Sequence, residues 1–223
     1  MRLAGMIWDL DGTLADTLPV CVAAFRHVFE GYGGRRYSDA EIVAMFGVSE
    51  EGMIRRVMPD RWREGERAYL AEYERLHDGR AYIFPGIEEA LRALQARGVR
   101  LAVVTGKGPA SADISLRHLG LAPYFDRVEV GSPDGPIKPR GMRAVLAAWA
   151  AAPAECAYVG DTPYDMAAAA EVGVMGLGAA WAGTATVRAT DAPPPTATFA
   201  RVDNLIAWIE RTVEPVGLPA RRR

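Results

Sequence analysis

Two aspartates two residues apart close the first apolar run of this chain, Met6-Ile7-Trp8-Asp9-Leu10-Asp11-Gly12-Thr13-Leu14. In extended backbone, residues i and i+2 share a face, so Asp9 and Asp11 would point one way until Gly12 permits a sharp turn. Two carboxylates at a buried mouth repel and raise each other's pKa. A divalent cation removes that conflict. Hard oxygen donors suit Mg2+, which keeps several waters and shares a substrate phosphate. A lone Asp-x-Asp is usually a solvated turn. The apolar run before this one and the Gly-Thr-Leu after it fit that plainer reading poorly.

Three further groups follow in order. Val104-Thr105-Gly106-Lys107 offers a hydroxyl and turn N–H groups to phosphate oxygens. Ile137-Lys138-Pro139 offers an ammonium that can neutralise a phosphate and a carboxylate together. Val159-Gly160-Asp161-Thr162-Pro163-Tyr164-Asp165 again sets acids beyond an apolar run. Asp161 can complete a metal site, and Asp165, one helical turn on, can coordinate indirectly or hold Lys138. The plainer alternative, Asp161 as a simple cap of the next helix, fits the surrounding motifs less well. Lys and Arg together number 26, yet only Lys107 and Lys138 are lysines. A compact ammonium differs from a planar guanidinium where one oxygen must meet a point charge. The two lysines therefore invite a reason, and that of Lys107 stays open.

These groups need strands to carry them. Met6–Trp8, Leu101–Val104, Val128–Val130, Ala157–Val159 and Val174–Leu177 are short, apolar strand candidates. Helical stretches lie between them: Gly86–Arg97, Ser111–Leu119, Gly141–Ala151 and Met166–Val172, most of them stopped by Gly or Pro. Strands alternating with helices imply a doubly wound parallel sheet covered on both faces, an α/β fold with a Rossmann-like core. Ligands in such sheets bind beyond the carboxyl ends of the strands. The first crossover is too long for a simple one, which needs only about 30 residues. Its pattern is helical, with Ser38-Asp39-Ala40-Glu41 as a capping box and Glu64–Leu76 as a longer helix. The expectation is a small inserted all-α cap over 18–80 on a core of 1–17 and 81–223. The tail has a Pro193-Pro194-Pro195 loop, a short helix near Leu205–Arg211 and a frayed Arg221-Arg222-Arg223 end.

Composition narrows the setting. The 223 residues are 50% hydrophobic and 24% charged, with a formal net charge of -2. That balance indicates neither a nucleic-acid surface nor an acidic disordered chain. No apolar run would cross a bilayer, and Met1–Gly5 lacks the apolar core of a signal peptide. Cys21 and Cys156 are far apart and read as free thiols. A cytoplasmic protein is expected, monomer or homodimer, with no membrane or nucleic-acid partner.

Acid, hydroxyl, lysine and acid, each after a separate expected strand, resemble the haloacid dehalogenase superfamily, and within it phosphatases related to phosphoglycolate phosphatase. The likeness runs through Asp9-Leu10-Asp11-Gly12-Thr13-Leu14 and Gly160-Asp161-Thr162-Pro163-Tyr164-Asp165 and covers nearly the whole chain. The resemblance implies Asp9 as nucleophile forming an aspartyl phosphate, and Asp11 as general acid and base. It implies Mg2+ on the side chains of Asp9 and Asp161 and the backbone carbonyl of Asp11. Thr105, Gly106 and Lys138 would hold the transferring phosphoryl, Asp165 would orient Lys138 or a metal-bound water, and Thr13 and Asp16 would support. The substrate would be a small phosphorylated metabolite. The dehalogenases lack an acid at the position of Asp11, so Asp11 speaks for phosphoester chemistry. Two departures stand out: Gly106 where many relatives have Asn, and Gly141 where a second Pro is common. Arg26, His27, Arg35, Arg36, His77 and the turn at Gly47 are unranked cap candidates for choosing the substrate. Rival readings are a phosphosugar mutase resembling beta-phosphoglucomutase, a pyrophosphatase, a receiver-like phospho-acceptor, and a binding protein that has lost catalysis. A mutase would isomerise its product, and a receiver would keep its phosphoryl group.

Overall fold

Met6 and Trp8 point to one side of the first strand and Ile7 to the other, and each side meets its own layer of helices. The computed structural model describes residues 1–79 and 81–215. In chain order the strands are β1 (Gly5–Trp8), β2 (Ala15–Asp16), β3 (Tyr82–Ile83), β4 (Arg100–Val104), β5 (Arg127–Glu129), β6 (Cys156–Gly160), β7 (Met175–Ala179) and β8 (Ala197–Phe199). The helices are α1 (Leu18–Gly31), α2 (Asp39–Val43), α3 (Glu50–Val57), α4 (Trp62–His77), α5 (Ile87–Ala96), α6 (Pro109–His118), α7 (Lys138–Trp149), α8 (Pro163–Val172) and α9 (Val202–Thr212).

Six strands form one parallel sheet in the order β5-β4-β1-β6-β7-β8. Ile7 is in register with Ala102 of β4 and Tyr158 of β6. Met6, Trp8, Leu101, Val103 and Val159 pack against Ile87, Leu91 and Leu94 of α5 and Leu205, Ile206 and Ile209 of α9. Ile7, Ala102, Val104 and Tyr158 pack against Met142, Val145 and Trp149 of α7 and Ala168 and Ala169 of α8. This two-sided burial explains why the strands read as continuous apolar runs and not as alternations. Gly5 has a packing reason, because a side chain there would run into the Trp149 ring. The fold is the expected doubly wound parallel sheet of Rossmann type.

Helices α1 to α4 lie between β2 and β3, which pair antiparallel with Ala15 opposite Ile83 and Asp16 opposite Tyr82. They enclose a separate apolar cluster of Val20, Phe25, Phe29, Ile42, Met53, Ile54, Tyr69, Tyr73 and Leu76, joined by Ile114 of α6. The capping box is present. The Ser38 hydroxyl accepts from the Glu41 N–H at 3.3 Å, and the Ser38 N–H donates to the Glu41 carboxylate at 2.8 Å. It opens only the five residues of α2.

The helices that follow the chemistry-bearing strands begin earlier than their apolar spacing suggests. Pro109, Pro139 and Pro163 all sit in a first turn. Proline tolerates that position because its missing N–H would be unbonded there anyway. The C-terminal helix likewise starts at Val202. The sheet's last strand, β8, lies just past the proline run and was not anticipated; Arg221–Arg223 lie outside the described residues. Both cysteines are free and buried. Among the described residues no helix is long and apolar enough to cross a membrane.

Candidate active site

The carboxyl ends of three neighbouring strands, β4, β1 and β6, converge on one point. β1 ends at Trp8, but the Asp9 N–H still donates to the Val159 carbonyl of β6 at 2.9 Å, which fixes the first aspartate in the sheet. Its Oδ1 accepts from the Leu10 N–H at 2.8 Å. Gly12 then turns at φ +72°, with its N–H on the Ala15 carbonyl at 2.9 Å. A side chain at Gly12 would collide with the Asp161 carboxylate, so the bare backbone there gives that carboxylate its space.

Lys138, in the first turn of α7, donates to Asp9 Oδ2 at 2.6 Å and to Asp165 Oδ1. Asp165 is fully buried and also accepts from the Tyr158 hydroxyl at 3.1 Å, the Thr162 N–H at 3.0 Å and the Thr162 hydroxyl at 2.6 Å. It thereby holds the lysine ammonium beside Asp9. Oxygens of Asp9, Asp161 and Asp165 lie within 4.8 Å of one another.

Burial pushes Asp9 up to about 7, against the pull of Lys138 and with the push of Asp165 and Asp11. Burial, then Asp9 and Asp165, push Asp161 up to about 8. Burial disfavours charge on Lys138, yet Asp165 and Asp9 hold its pKa above the ordinary lysine value. Several crowded hard carboxylates facing a single ammonium fit a divalent cation, and oxygens of Asp9, Asp161 and Asp165 lie close enough together to hold one.

A pH dependence follows. A carboxylate whose folded pKa is raised stabilises the fold most below its unfolded pKa near 3.8, and that stability is lost as pH rises through about 7 for Asp9 and about 8 for Asp161. The metal-free protein is expected to lose thermal stability between pH 5 and pH 8. A divalent cation should raise the unfolding temperature more at pH 8 than at pH 5.5, because protons compete for the same oxygens. Thermal unfolding in chelator and in Mg2+ at the two pH values measures this; an equal shift at both would remove these acids from the cation site.

Thr105 is buried beyond β4, with its N–H on the Glu129 carbonyl at 3.1 Å, and its hydroxyl accepts from the Lys107 N–H at 3.2 Å. Gly106 faces open space. The Asp11 carboxylate is not among the three clustered acids; it accepts a hydrogen bond from the Thr17 hydroxyl and lies 3.3 Å from Lys107 Nζ. Thr13 is buried. Its carbonyl accepts from Trp181 Nε1 at 3.0 Å, and its hydroxyl has no partner among the described residues. Asp16 lies in β2 and accepts from the Tyr82 hydroxyl.

Of the cap candidates, only His77 reaches the buried interior. One ring nitrogen lies 2.8 Å from the Tyr73 carbonyl and the other 3.1 Å from the Ser115 hydroxyl. Burial lowers its pKa, which favours the neutral ring. Arg26 pairs with Asp39, Arg36 with Glu30 at 3.9 Å, and Arg35 lies over the Tyr37 ring. His27 packs edge-on against Tyr32. Those four meet other residues of the helical segment. Gly47 is in a positive-φ turn.

Sequence reading missed the polar group around Lys107. The ammonium is 3.3 Å from Asp11, 3.5 Å from Glu50, 3.1 Å from the Cys21 sulfur and 4.4 Å above the Tyr73 ring. Burial disfavours its charge, but Asp11 first and Cys21 next keep its pKa well above the ordinary lysine value. Burial pushes the Cys21 thiol up to about 12, so it remains protonated. The scarcity of lysine was the one available signal.

A doubly wound parallel sheet carries a buried carboxylate cluster and a buried lysine at its strand ends, an α/β architecture that can gather charged groups at one point. The family model described as haloacid dehalogenase-like hydrolase matches residues 6–179, and the chain belongs to that family. It is 33% identical over 182 residues to a phosphoglycolate phosphatase of Cereibacter sphaeroides, covering 77% of this chain and 83% of that protein. It is 29% identical over 184 residues to a putative pyrophosphatase PpaX of Caldanaerobacter subterraneus, covering 81% and 83%. The fold also resembles the structure of CbbY from Rhodobacter sphaeroides in complex with phosphate. There the TM-score is 0.79 at 20% identity, covering 92% of this chain and 96% of that one.

Proposed function

We propose that this protein is a magnesium-dependent phosphatase that hydrolyses a small-molecule phosphomonoester through an aspartyl phosphate on Asp9. The observation that carries the reading is the Lys138 ammonium bridging Asp9 and Asp165 beside Asp161, at the strand ends where Thr105 also lies. The names of the relatives, phosphoglycolate phosphatase and pyrophosphatase, support the same reaction type.

An Asp9 oxygen attacks phosphorus; the bond from phosphorus to the ester oxygen breaks, and Asp11 gives that oxygen its proton. Asp11 then takes a proton from water. The water oxygen bonds to phosphorus, and the Asp9–phosphorus bond breaks to release phosphate. Thr105, the Gly106 N–H and Lys138 hold the phosphoryl oxygens, because phosphoryl transfer depends mainly on positioning and charge neutralisation. Asp9, Asp161 and the Asp11 backbone carbonyl would hold Mg2+, which would supply further neutralisation of that charge. Asp165 orients Lys138, and Thr13 supports the turn. The helical segment 18–80 acts as a cap on a core of 1–17 and 81–223, excluding water. The buried free thiols fit a cytoplasmic setting.

The test is phosphate release from alkyl and aryl phosphates, with and without Mg2+. Asp11→Asn is expected to lower kcat about 10^2- to 10^4-fold on the alkyl ester and less on an aryl ester, whose leaving group needs little protonation. Equal losses on both would remove Asp11 as the acid. Isomerised substrate without released phosphate would point to a mutase.

A further inference from the structure

Glu50 opens α3, within the helical segment, yet its polar partners belong to the loop that follows β4 and to the first turn of α6. One carboxylate oxygen accepts from the Gly108 N–H at 2.6 Å. The other accepts from the Ser111 hydroxyl at 2.6 Å and lies 3.5 Å from Lys107 Nζ. Gly108 caps the ten-residue α6 and Ser111 is in its first turn. Unbonded N–H groups and the positive end of the helix dipole favour an anion there. In this chain the anion is internal: Glu50 is 8% exposed and saturated by a backbone N–H, a hydroxyl and an ammonium.

Lys107 has no charge to spare. It is itself 4% exposed and lies between Glu50 and Asp11, with Cys21 and Tyr73 completing its surroundings. The Glu50 carboxylate is therefore one cation removed from Asp11, packed against the loop that carries Thr105 and Gly106. On the reading given above, this is the side on which the leaving group departs.

We propose that Glu50 is a specificity-determining residue, filling the anion position between Lys107 and the N-terminus of α6 and so selecting phosphate esters whose leaving group carries no second anion. The inference rests on the phosphatase reading of the Asp9 site and adds the substrate class. A leaving group with its own carboxylate or phosphate would find the anion position beside Lys107 already filled by a buried carboxylate, and a like-charge juxtaposition is unfavourable. The names of the relatives denote substrates with a second anion, phosphoglycolate and pyrophosphate. For this chain the geometry points to leaving groups without one. Neutral, hydroxyl-bearing or cationic leaving groups fit.

The probes are propylphosphonate, with one anionic group, and phosphonoacetate, which carries a carboxylate in addition. Binding of each to the full chain in Mg2+ is measured by calorimetry for wild type, Glu50→Gln and Glu50→Ala. Wild type is expected to bind propylphosphonate at least tenfold more tightly, and both variants should shift the ratio at least tenfold toward phosphonoacetate. Tighter binding of phosphonoacetate by wild type overturns the inference. So does an unchanged ratio in the folded variants, which is what a merely structural glutamate would give. If neither variant folds, the wild-type ratio decides alone. Because binding needs no turnover, a protein that hydrolyses nothing would sink the phosphatase reading and still return a ratio.

Discussion

Asp9→Asn is expected to abolish turnover, lowering kcat by about 10^4-fold or more while the protein stays folded. The size follows from the proposed chemistry: an amide cannot form the aspartyl phosphate, and losing a covalent nucleophile removes a whole route, not one stabilising contact. The fold survives because Lys138 keeps Asp165 as its partner and because burial already drives Asp9 toward its neutral form. Removing the charge also relieves repulsion on Asp161, whose pKa should fall from about 8. The measurements are single-turnover phosphate release and thermal unfolding of both proteins. A variant that retains a tenth of wild-type turnover would exclude Asp9 as nucleophile.

Lys138→Met should damage both activity and stability. The ammonium is the sole close cation for Asp9 and Asp165 among the described residues, and all three side chains are nearly or wholly buried. Removing one partner of a buried ion pair typically costs about 3–5 kcal/mol, because the remaining charge has no compensation. For a chain of this length that corresponds to a fall in unfolding temperature of roughly 10 °C. Activity should fall a further 10^2- to 10^3-fold or so, the usual range for losing one preorganised group on developing charge. Mg2+ should restore part of the stability, by replacing one positive charge with another, and little of the activity. Arg is a poor substitute, since a planar guanidinium does not fit a point fixed at 2.6 Å from Asp9. If Lys138→Met melts with wild type in chelator, the ion pairs contribute little.

Much of this was legible because parallel strands place their chemistry at one end. Asp9, Thr105 and Asp161 each follow an apolar run, and a run buried on both faces is easy to see. Lys138 and Asp165 were legible through type and order. The helix starts were not, because Pro109, Pro139 and Pro163 look like breaks when they are first-turn residues. Glu50 was hidden for a different reason. Ser49-Glu50-Glu51-Gly52 reads as an ordinary solvated helix start, and Glu51 is one, pairing with Arg55 on the surface at 2.5 Å. Only the packing of α3 against the loop after β4 buries Glu50. The strands β2 and β3 have only two residues each, too few for any period to show, and β8 has three, with Thr198 between Ala197 and Phe199 in place of a continuous apolar run.

The pairing of β2 with β3 has one more consequence. The chain leaves the sheet and comes back as nearest neighbours on a ladder, so the two ends of the helical excursion are about one strand spacing, roughly 4.8 Å, apart. Closing a loop of that kind costs only logarithmically more as it lengthens. The six-stranded scaffold is therefore indifferent to what is spliced in at this point, so long as the graft presents its ends as an adjacent pair. It works as a socket, and a foreign helical module seated there would leave the strand ends with their acids and lysine undisturbed.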